Sequence, residues 1–259
     1  MRSNKTLFDL SGQVAIITGG ATGIGLQMSC ALGEAGADIV IAARNVSRCR
    51  ELADKMESDL GISVLPAQVD ICDPESIRQL YHTVMERFSR VDILINNSGT
   101  VWDAPSLEYP LEAWEKVIRV NLTGTWLMSK EAARIMVPQN YGRIINISSL
   151  AAFVGASDKV MDTVSYQASK AGVIGLTKDL AVKWAKYNIT VNSIAPGWFP
   201  TKLSSGALDL REEILLKNIP LGRFGGDDEL KGAALFLASP GAAYCTGTTL
   251  NVDGGWVAQ

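Results

Sequence analysis

Short runs of β-branched and other apolar residues alternate along this chain with longer segments whose apolar positions recur every three or four residues. The runs are VAIIT, DIVIAA, VLPAQVD, VDILINN, GRIINISS, ITVNSIAPG and, near the end, TTLNVDGG. Helical spacing fills the gaps: a segment through Gly36, one over residues 46–60, one around His82, one over 111–136 and one around Tyr166. Apolar strands bounded by Gly, Asn and Asp, each followed by a helix, predict βαβ units around a parallel sheet buried on both faces. Such a sheet takes its ligands at the carboxyl ends of its strands. Beyond Pro196 the pattern loosens into two short helical stretches, and a substrate loop or lid is expected over residues 198–224. No composition shift marks a linker, so residues 1–259 are expected to form a single domain.

Composition acts mainly by exclusion. The 259 residues are 47% hydrophobic and 20% charged, a globular balance long enough to build one large core. A net charge of -3 without a clustered Lys/Arg surface argues against nucleic-acid binding. No apolar run approaches the ~20 residues of a membrane span, and no signal peptide is recognisable, so a cytoplasmic location is expected. Cys30, Cys49, Cys72 and Cys245 are scattered without CxxC spacing, which suggests neither a disulfide framework nor a zinc site. His82 is the only histidine and sits in an amphipathic stretch, without the companions a catalytic triad or a metal site would need. No metal is expected.

Candidate chemistry begins at Tyr166 and Lys170, which the helical spacing places on one face of a helix. A lysine ammonium beside a phenol favours the phenolate, pulling its pKa down from ~10 toward the working range of an acid/base catalyst. A second cluster follows the first strand, where Thr18, Gly19, Gly20, Ala21, Thr22, Gly23, Ile24 and Gly25 run directly into a helix. Glycine there lets the backbone approach a pyrophosphate, whose charge is favoured by the free N–H groups of the helix start. The spacing is TGxxxGxG, not the generic GxGxxG. At the end of the second strand stands Arg44, where an NAD-preferring fold would carry an acid for the ribose hydroxyl, so NADP(H) is favoured over NAD(H).

These motifs resemble the short-chain dehydrogenase/reductase family, in the correct order over nearly the whole chain. TGGATGIG at 18–25, NNSG at 96–99 where the family usually has NNAG, Asn121, ISS followed by YxxxK, and Pro196-Gly197 with Thr201 carry the resemblance. It implies a Rossmann fold: a doubly wound, mostly seven-stranded parallel sheet with helices on both faces. It also implies an NAD(P)-dependent enzyme that interconverts a secondary alcohol and a ketone. By resemblance, Tyr166 is the general acid/base, Lys170 lowers its pKa and holds the nicotinamide ribose, Ser149 orients the substrate oxygen, and Asn121 anchors a relay water. Read alone, Asn121 could equally bond the backbone of its own helix. Ser149 is preferred to Ser148, because neighbouring residues of a strand face opposite ways and the second serine of the pair is the family's choice.

The family's cofactor contacts fall on Gly19, Thr22, Gly23, Ile24, Gly25, Arg44, Asp70, Ile71, Asn97, Gly99, Tyr166, Lys170, Pro196, Gly197, Phe199 and Thr201. Asp70 is also a candidate cap for the helix beginning near Pro74. Substrate contacts are expected from Trp102, Ser149, Tyr166 and Trp198. Within the family the chain is most similar to gluconate 5-dehydrogenases, which interconvert gluconate and 5-ketogluconate, with 3-oxoacyl thioester reductases (acting on acyl-ACP or acyl-CoA) nearly as close. A sugar acid would need a cation such as Lys202 or Arg211 for its carboxylate. A non-catalytic nucleotide sensor is the remaining reading, disfavoured by the intact Asn121, Ser149, Tyr166 and Lys170 set. The stretch between Ser149 and Tyr166 is a few residues longer than the family's usual one. A homotetramer, or a dimer, is expected by resemblance alone.

Overall fold

A computed structural model describes residues 3–259. Its strands are β1 (Val14–Thr18), β2 (Asp38–Ala43), β3 (Val64–Gln68), β4 (Ile93–Asn96), β5 (Gly142–Ile147), β6 (Ile189–Pro196) and β7 (Thr249–Val252). All pair in parallel, in the order β3-β2-β1-β4-β5-β6-β7. The helices are α1 (Asn4–Leu7), α2 (Gly23–Glu34), α3 (Ser47–Leu60), α4 (Pro74–Phe88), α5 (Leu111–Ile118), α6 (Thr125–Gln139), α7 (Val164–Trp184), α8 (Ser205–Lys217) and α9 (Lys231–Ala238). This is the Rossmann-type arrangement the strand–helix alternation predicts. No helix among the described residues is long and apolar enough to cross a membrane.

The alternation of side chains along each strand divides the core between the two faces. Ala15, Ile17, Ile39, Ile41, Ile93, Ile95 and Ile145 pack with Met28 and Leu32 of α2 and Leu237 of α9. Their neighbours Val14, Ile16, Val40, Ala42, Leu94 and Ile144 point the other way, toward Leu80 of α4, Met128 of α6 and Leu180 of α7. Burying each of the large aliphatic side chains contributes about 1.5–3 kcal/mol, and with both faces covered the strands read as unbroken apolar runs. Pro66 lies in β3, an edge strand, where the missing N–H costs no ladder bond.

Two local expectations need correction. The predicted 111–136 helix is interrupted: residues Arg119–Gly124 form a π-helical turn between α5 and α6. Single π turns of this kind occur mostly at functional sites, and no side-chain periodicity announces them. The cap of α4 is Asp73, whose carboxylate accepts from the Glu75 N–H at 2.9 Å, and not Asp70. Asp70 instead accepts from the Cys72 N–H at 2.8 Å. The long stretch preceding Tyr166 is packed. Leu150, Ala151 and Met161 join Leu208 and Leu215 of α8 and Trp256 in a small third core over the strand ends.

Candidate active site

Between β1 and β4 the strand order reverses, and neighbouring crossovers leave in opposite directions there, opening a crevice at the carboxyl ends. Thr18 closes its floor. Its hydroxyl accepts from the backbone N–H groups of Asn97 and Ser98 at 2.9 and 3.0 Å, tying the end of β1 to the loop after β4. Asn97 in turn donates from its amide to the carbonyls of Thr18 and Gly19 at 2.9 and 3.2 Å, while its buried Oδ1 finds no partner.

The glycine turn is shaped by what it must approach. Gly19 has φ +65 and Gly23 φ +54, conformations that a side chain would strain. Gly25 is required for a different reason: a Cβ there would sit 2.2 Å from the Gly19 carbonyl oxygen. Thr22 heads α2 without a side-chain cap, so the first N–H groups of this twelve-residue helix stay available. Arg44 is exposed just beyond β2, and its charge and that of Asp70 both act on the Cys72 thiol, which brings the ends of β2 and β3 to one place. An uncapped helix start, glycines where a Cβ would collide and an exposed guanidinium suit a dinucleotide's phosphates, and the orphaned Asn97 Oδ1, an acceptor, suits a donor such as a ribose hydroxyl.

Next to this turn lies a cavity of about 490 Å³. Ser149, Tyr166 and Lys170 are in its wall, with Asn97, Gly99 and Ile24 from the glycine side and Pro196, Gly197, Trp198, Phe199 and Thr201 beyond β6. Ser149 heads a short turn at the end of β5, accepting from the Ala151 N–H at 3.2 Å. Ser148 also borders the cavity, but its hydroxyl is committed, donating to the Lys170 carbonyl at 2.9 Å. The Lys170 ammonium is buried, donates to the Ile147 carbonyl at 2.7 Å, and lies 5.6 Å from the centre of the Tyr166 ring.

Burial sets the electrostatics. It pushes the Tyr166 phenol above its ordinary value, with the Ser149 hydroxyl working in the opposite direction. It also pulls the Lys170 ammonium down to about 8. For Tyr166 the upward push of burial thus outweighs the lowering expected from Lys170. With no carboxylate paired to it, the lysine's own charge is destabilised by desolvation, and its N–H groups are turned toward Ile147. The arrangement nonetheless holds a protonated phenol beside a hydroxyl inside a cavity. Such a pair can donate two hydrogen bonds to one oxygen.

The Asn121 side chain does not bond the backbone of its own helix. It sits in the π turn, accepts from the Thr100 N–H at 2.8 Å, and donates to the Thr100 carbonyl at 2.9 Å and to the Ser169 hydroxyl at 3.0 Å. Its side chain bonds the loop after β4 and helix α7, not its own helix.

The pattern described as Enoyl-(Acyl carrier protein) reductase matches residues 19–257. The chain belongs to the short-chain dehydrogenase/reductase family. It is 39% identical over 252 residues to a 3-oxoacyl-[acyl-carrier-protein] reductase of Synechocystis, covering 96% of this chain and 98% of that one. It is 38% identical over 255 residues to a 2-dehydro-3-deoxy-D-gluconate 5-dehydrogenase of Dickeya dadantii, covering 97% and 98%. Among solved structures, a gluconate 5-dehydrogenase from Burkholderia cenocepacia in complex with NADP and tartrate superimposes with a TM-score of 0.94 at 36% identity, covering 99% and 100%. Like other members of the short-chain dehydrogenase/reductase family, the protein is an oxidoreductase that acts on hydroxyl or keto groups with a nicotinamide cofactor.

Not every expected contact reaches this family member's cavity. Trp102 is 44% exposed and outside the cavity wall, with the Lys116 ammonium 6.0 Å from its ring centre. Phe199 touches the cavity but is buried in the main core, packed where a Cβ on Gly225 would collide with its ring. Trp198 is in the cavity wall, tilted against Trp256 at 6.2 Å with its indole N–H buried and unpartnered. Ile71 packs under the π turn at Gly124. Lys202 is exposed and outside the wall, whereas Arg211 is part of it and bonds Asp103. Asp103 carries no motif. The 108 residues separating the pair gave no signal in the sequence.

Proposed function

We propose that the protein interconverts a secondary alcohol and a ketone with NADP(H) in preference to NAD(H), Tyr166 serving as general acid/base. The proposed substrate is a small hydroxy or keto acid of the gluconate/5-ketogluconate kind. The observation that carries the reaction is the Tyr166 phenol beside the Ser149 hydroxyl in the cavity wall, with Lys170 buried behind them. The nicotinamide cofactor supplies or accepts the hydride. Gly19, Gly23 and Gly25 with the start of α2 would hold its phosphates, and Arg44 the 2'-phosphate that distinguishes NADP. Ser149 and Tyr166 bind the carbonyl oxygen by hydrogen bonds that strengthen as charge develops on it, and Tyr166 then gives up its proton. Lys170 near the phenol stabilises the phenolate left behind. Asn121 holds the loop and helix that frame the site, and the water-relay role suggested by resemblance is kept as part of this proposal.

NADPH oxidation with 5-ketogluconate, a 3-oxoacyl thioester and a simple cyclic ketone tests the substrate class: 5-ketogluconate should be the best substrate. The apolar part of the wall, Leu150, Met161, Leu203 and Leu210, favours the second reading, an acyl thioester reductase. A clear preference for the thioester would establish it in place of the first. NADPH binding without turnover of any carbonyl would favour a sensor.

Arg44→Ala is expected to weaken NADPH roughly 10–100-fold, the value of a charge-assisted phosphate contact, and NADH much less. Fluorescence titration of both cofactors measures the ratio, and an unchanged ratio removes Arg44 from the phosphate site. The Lys170 ammonium, lowered to about 8, gives a pH prediction. It is charged below that pH and loses its proton above it, so kcat/KM for NADPH should fall about tenfold per unit as pH rises past it. Tyr166, raised by burial, stays protonated across the same window and does not set this limb. A profile flat to pH ~10 would remove Lys170 from that role.

A cytoplasmic homotetramer remains part of the proposal. It is supported by apolar side chains left on the surface of α5, α6 and α7, among them Trp114, Trp126 and Val182. Light scattering on the purified protein reads the mass directly.

A further inference from the structure

Three parts of the cavity wall meet at one guanidinium. Arg211 of α8 donates through a single terminal nitrogen to Asp103 Oδ2 at 2.9 Å and to the Val160 carbonyl at 3.4 Å. Asp103 lies in the loop after β4 and Val160 in the long stretch before Tyr166. These two segments are also joined directly, by the Ala104 N–H bonded to the Asp162 carbonyl at 2.9 Å.

Asp103, Lys170 and Arg211 are the charged side chains of the wall among the described residues. Lys170 is committed to the Ile147 carbonyl beside Tyr166. Arg211 is therefore the cation open to a ligand, and its Nε and second terminal nitrogen carry donors that the pair with Asp103 does not use. The two partners are also unequally seated, with the Arg211 side chain 21% exposed and that of Asp103 48% exposed. An ion pair whose acid stands half in water is weak, so Asp103 can turn out to solvent while Arg211 stays in the wall.

We infer that Arg211 is the carboxylate-recognising residue of the substrate site and that Asp103 is its internal placeholder, exchanged for the carboxylate of an entering keto or hydroxy acid. This rests on reading the cavity as the substrate site of the reductase. An uncharged ketone has nothing to offer Arg211 in exchange and leaves the pair intact, with α8 drawn against the loop. Asp103 thus also acts against the wrong substrate, which specificity often requires.

The decisive comparison is calorimetric titration of gluconate, and of tartrate as a dicarboxylate probe, in excess NADPH. Arg211→Gln should weaken both ligands roughly 10–100-fold, with Arg211→Lys recovering part of the loss. Asp103→Asn, which removes the competitor, should tighten them about 2–5-fold. In turnover, Arg211→Gln should lower kcat/KM for 5-ketogluconate at least ~10-fold more than for the uncharged ketohexose bearing a hydroxymethyl in place of the carboxylate, mainly through KM. Equal carboxylate affinities in Arg211→Gln and the unmodified protein would overturn the inference. So would weaker binding in Asp103→Asn, or equal losses on the charged and uncharged ketones, the mark of an arginine that only pins α8. If the unmodified protein reduces neither ketone, the proposed reaction fails, and the titrations still decide the role of Arg211.

Discussion

Replacing Tyr166 with Phe is expected to lower the turnover number for carbonyl reduction by about 10²–10⁴-fold, the usual contribution of a positioned general acid. The ring keeps its packing, so only the hydroxyl is removed. NADPH affinity, followed by fluorescence titration, should fall far less, because the glycine turn and Arg44 lie on the other side of the crevice. Ser149→Ala should show the same pattern more mildly, losing one of two hydrogen bonds to the developing oxyanion, in the range of ~10²–10³-fold. Ser148→Ala removes a bond to the Lys170 carbonyl from a hydroxyl turned toward the α7 backbone, and its effect should appear chiefly in stability. A severe loss of turnover in Ser148→Ala with normal turnover in Ser149→Ala would reverse the assignment.

Gly25→Ala is expected to be the most damaging single-methyl change in the nucleotide region. The added carbon would fall 2.2 Å from the Gly19 carbonyl oxygen and 2.6 Å from Asn97 Nδ2. Neither neighbour can retreat cheaply, since Gly19 is fixed in a left-handed turn and Asn97 bonds that same carbonyl. Overpacking of this kind costs about 1–3 kcal/mol, and in a chain of this size each 1 kcal/mol lowers the melting temperature by about 2–4 °C. The larger effect is on binding: displacing the free N–H groups of α2 by about 1 Å should weaken NADPH on the order of 10²-fold. Gly232→Ala in α9, with nothing within 4 Å of the new methyl, is the matched control and should leave the melting temperature equal or slightly higher. Parallel melts and NADPH titrations of the two variants would show whether the collision at Gly25, and not the loss of a glycine, is responsible.

The strands were legible because they are buried on both faces: Ile16 and Ile17, or Ile144 and Ile145, serve opposite cores and so both must be apolar. Tyr166 and Lys170 were legible because helical spacing alone puts them on one side of α7. What escaped depends on partners distant in sequence or on backbone detail. The π turn at Arg119–Gly124 leaves the apolar periodicity nearly untouched. Asp70 and Asp73 are equally plausible caps by composition, and only the carboxylate geometry separates them. Trp102 has the right chemistry for a substrate site, but it is turned outward, 44% exposed and outside the cavity wall. The fall in the Lys170 pKa followed from burial, which a four-residue spacing cannot express.

The pair of hydrogen bonds between Asn121 and Thr100, one accepted from its N–H and one donated to its carbonyl, gives that residue what an adjacent strand would otherwise provide. The chain that left the sheet after Asn96 can therefore pass through Thr100 without an unsatisfied peptide group there. From Val101 to Ala104 it is held in the middle by the Tyr109 hydroxyl, which donates to the Trp102 carbonyl at 3.0 Å, and at its far end by Asp162 and Arg211. New side chains at the exposed Trp102 and Asp103 could be accepted without moving the backbone that carries Ser149, Tyr166 and Lys170. An engineer wishing to change which ketone is accepted would start there, since the fold already isolates that decision from the chemistry.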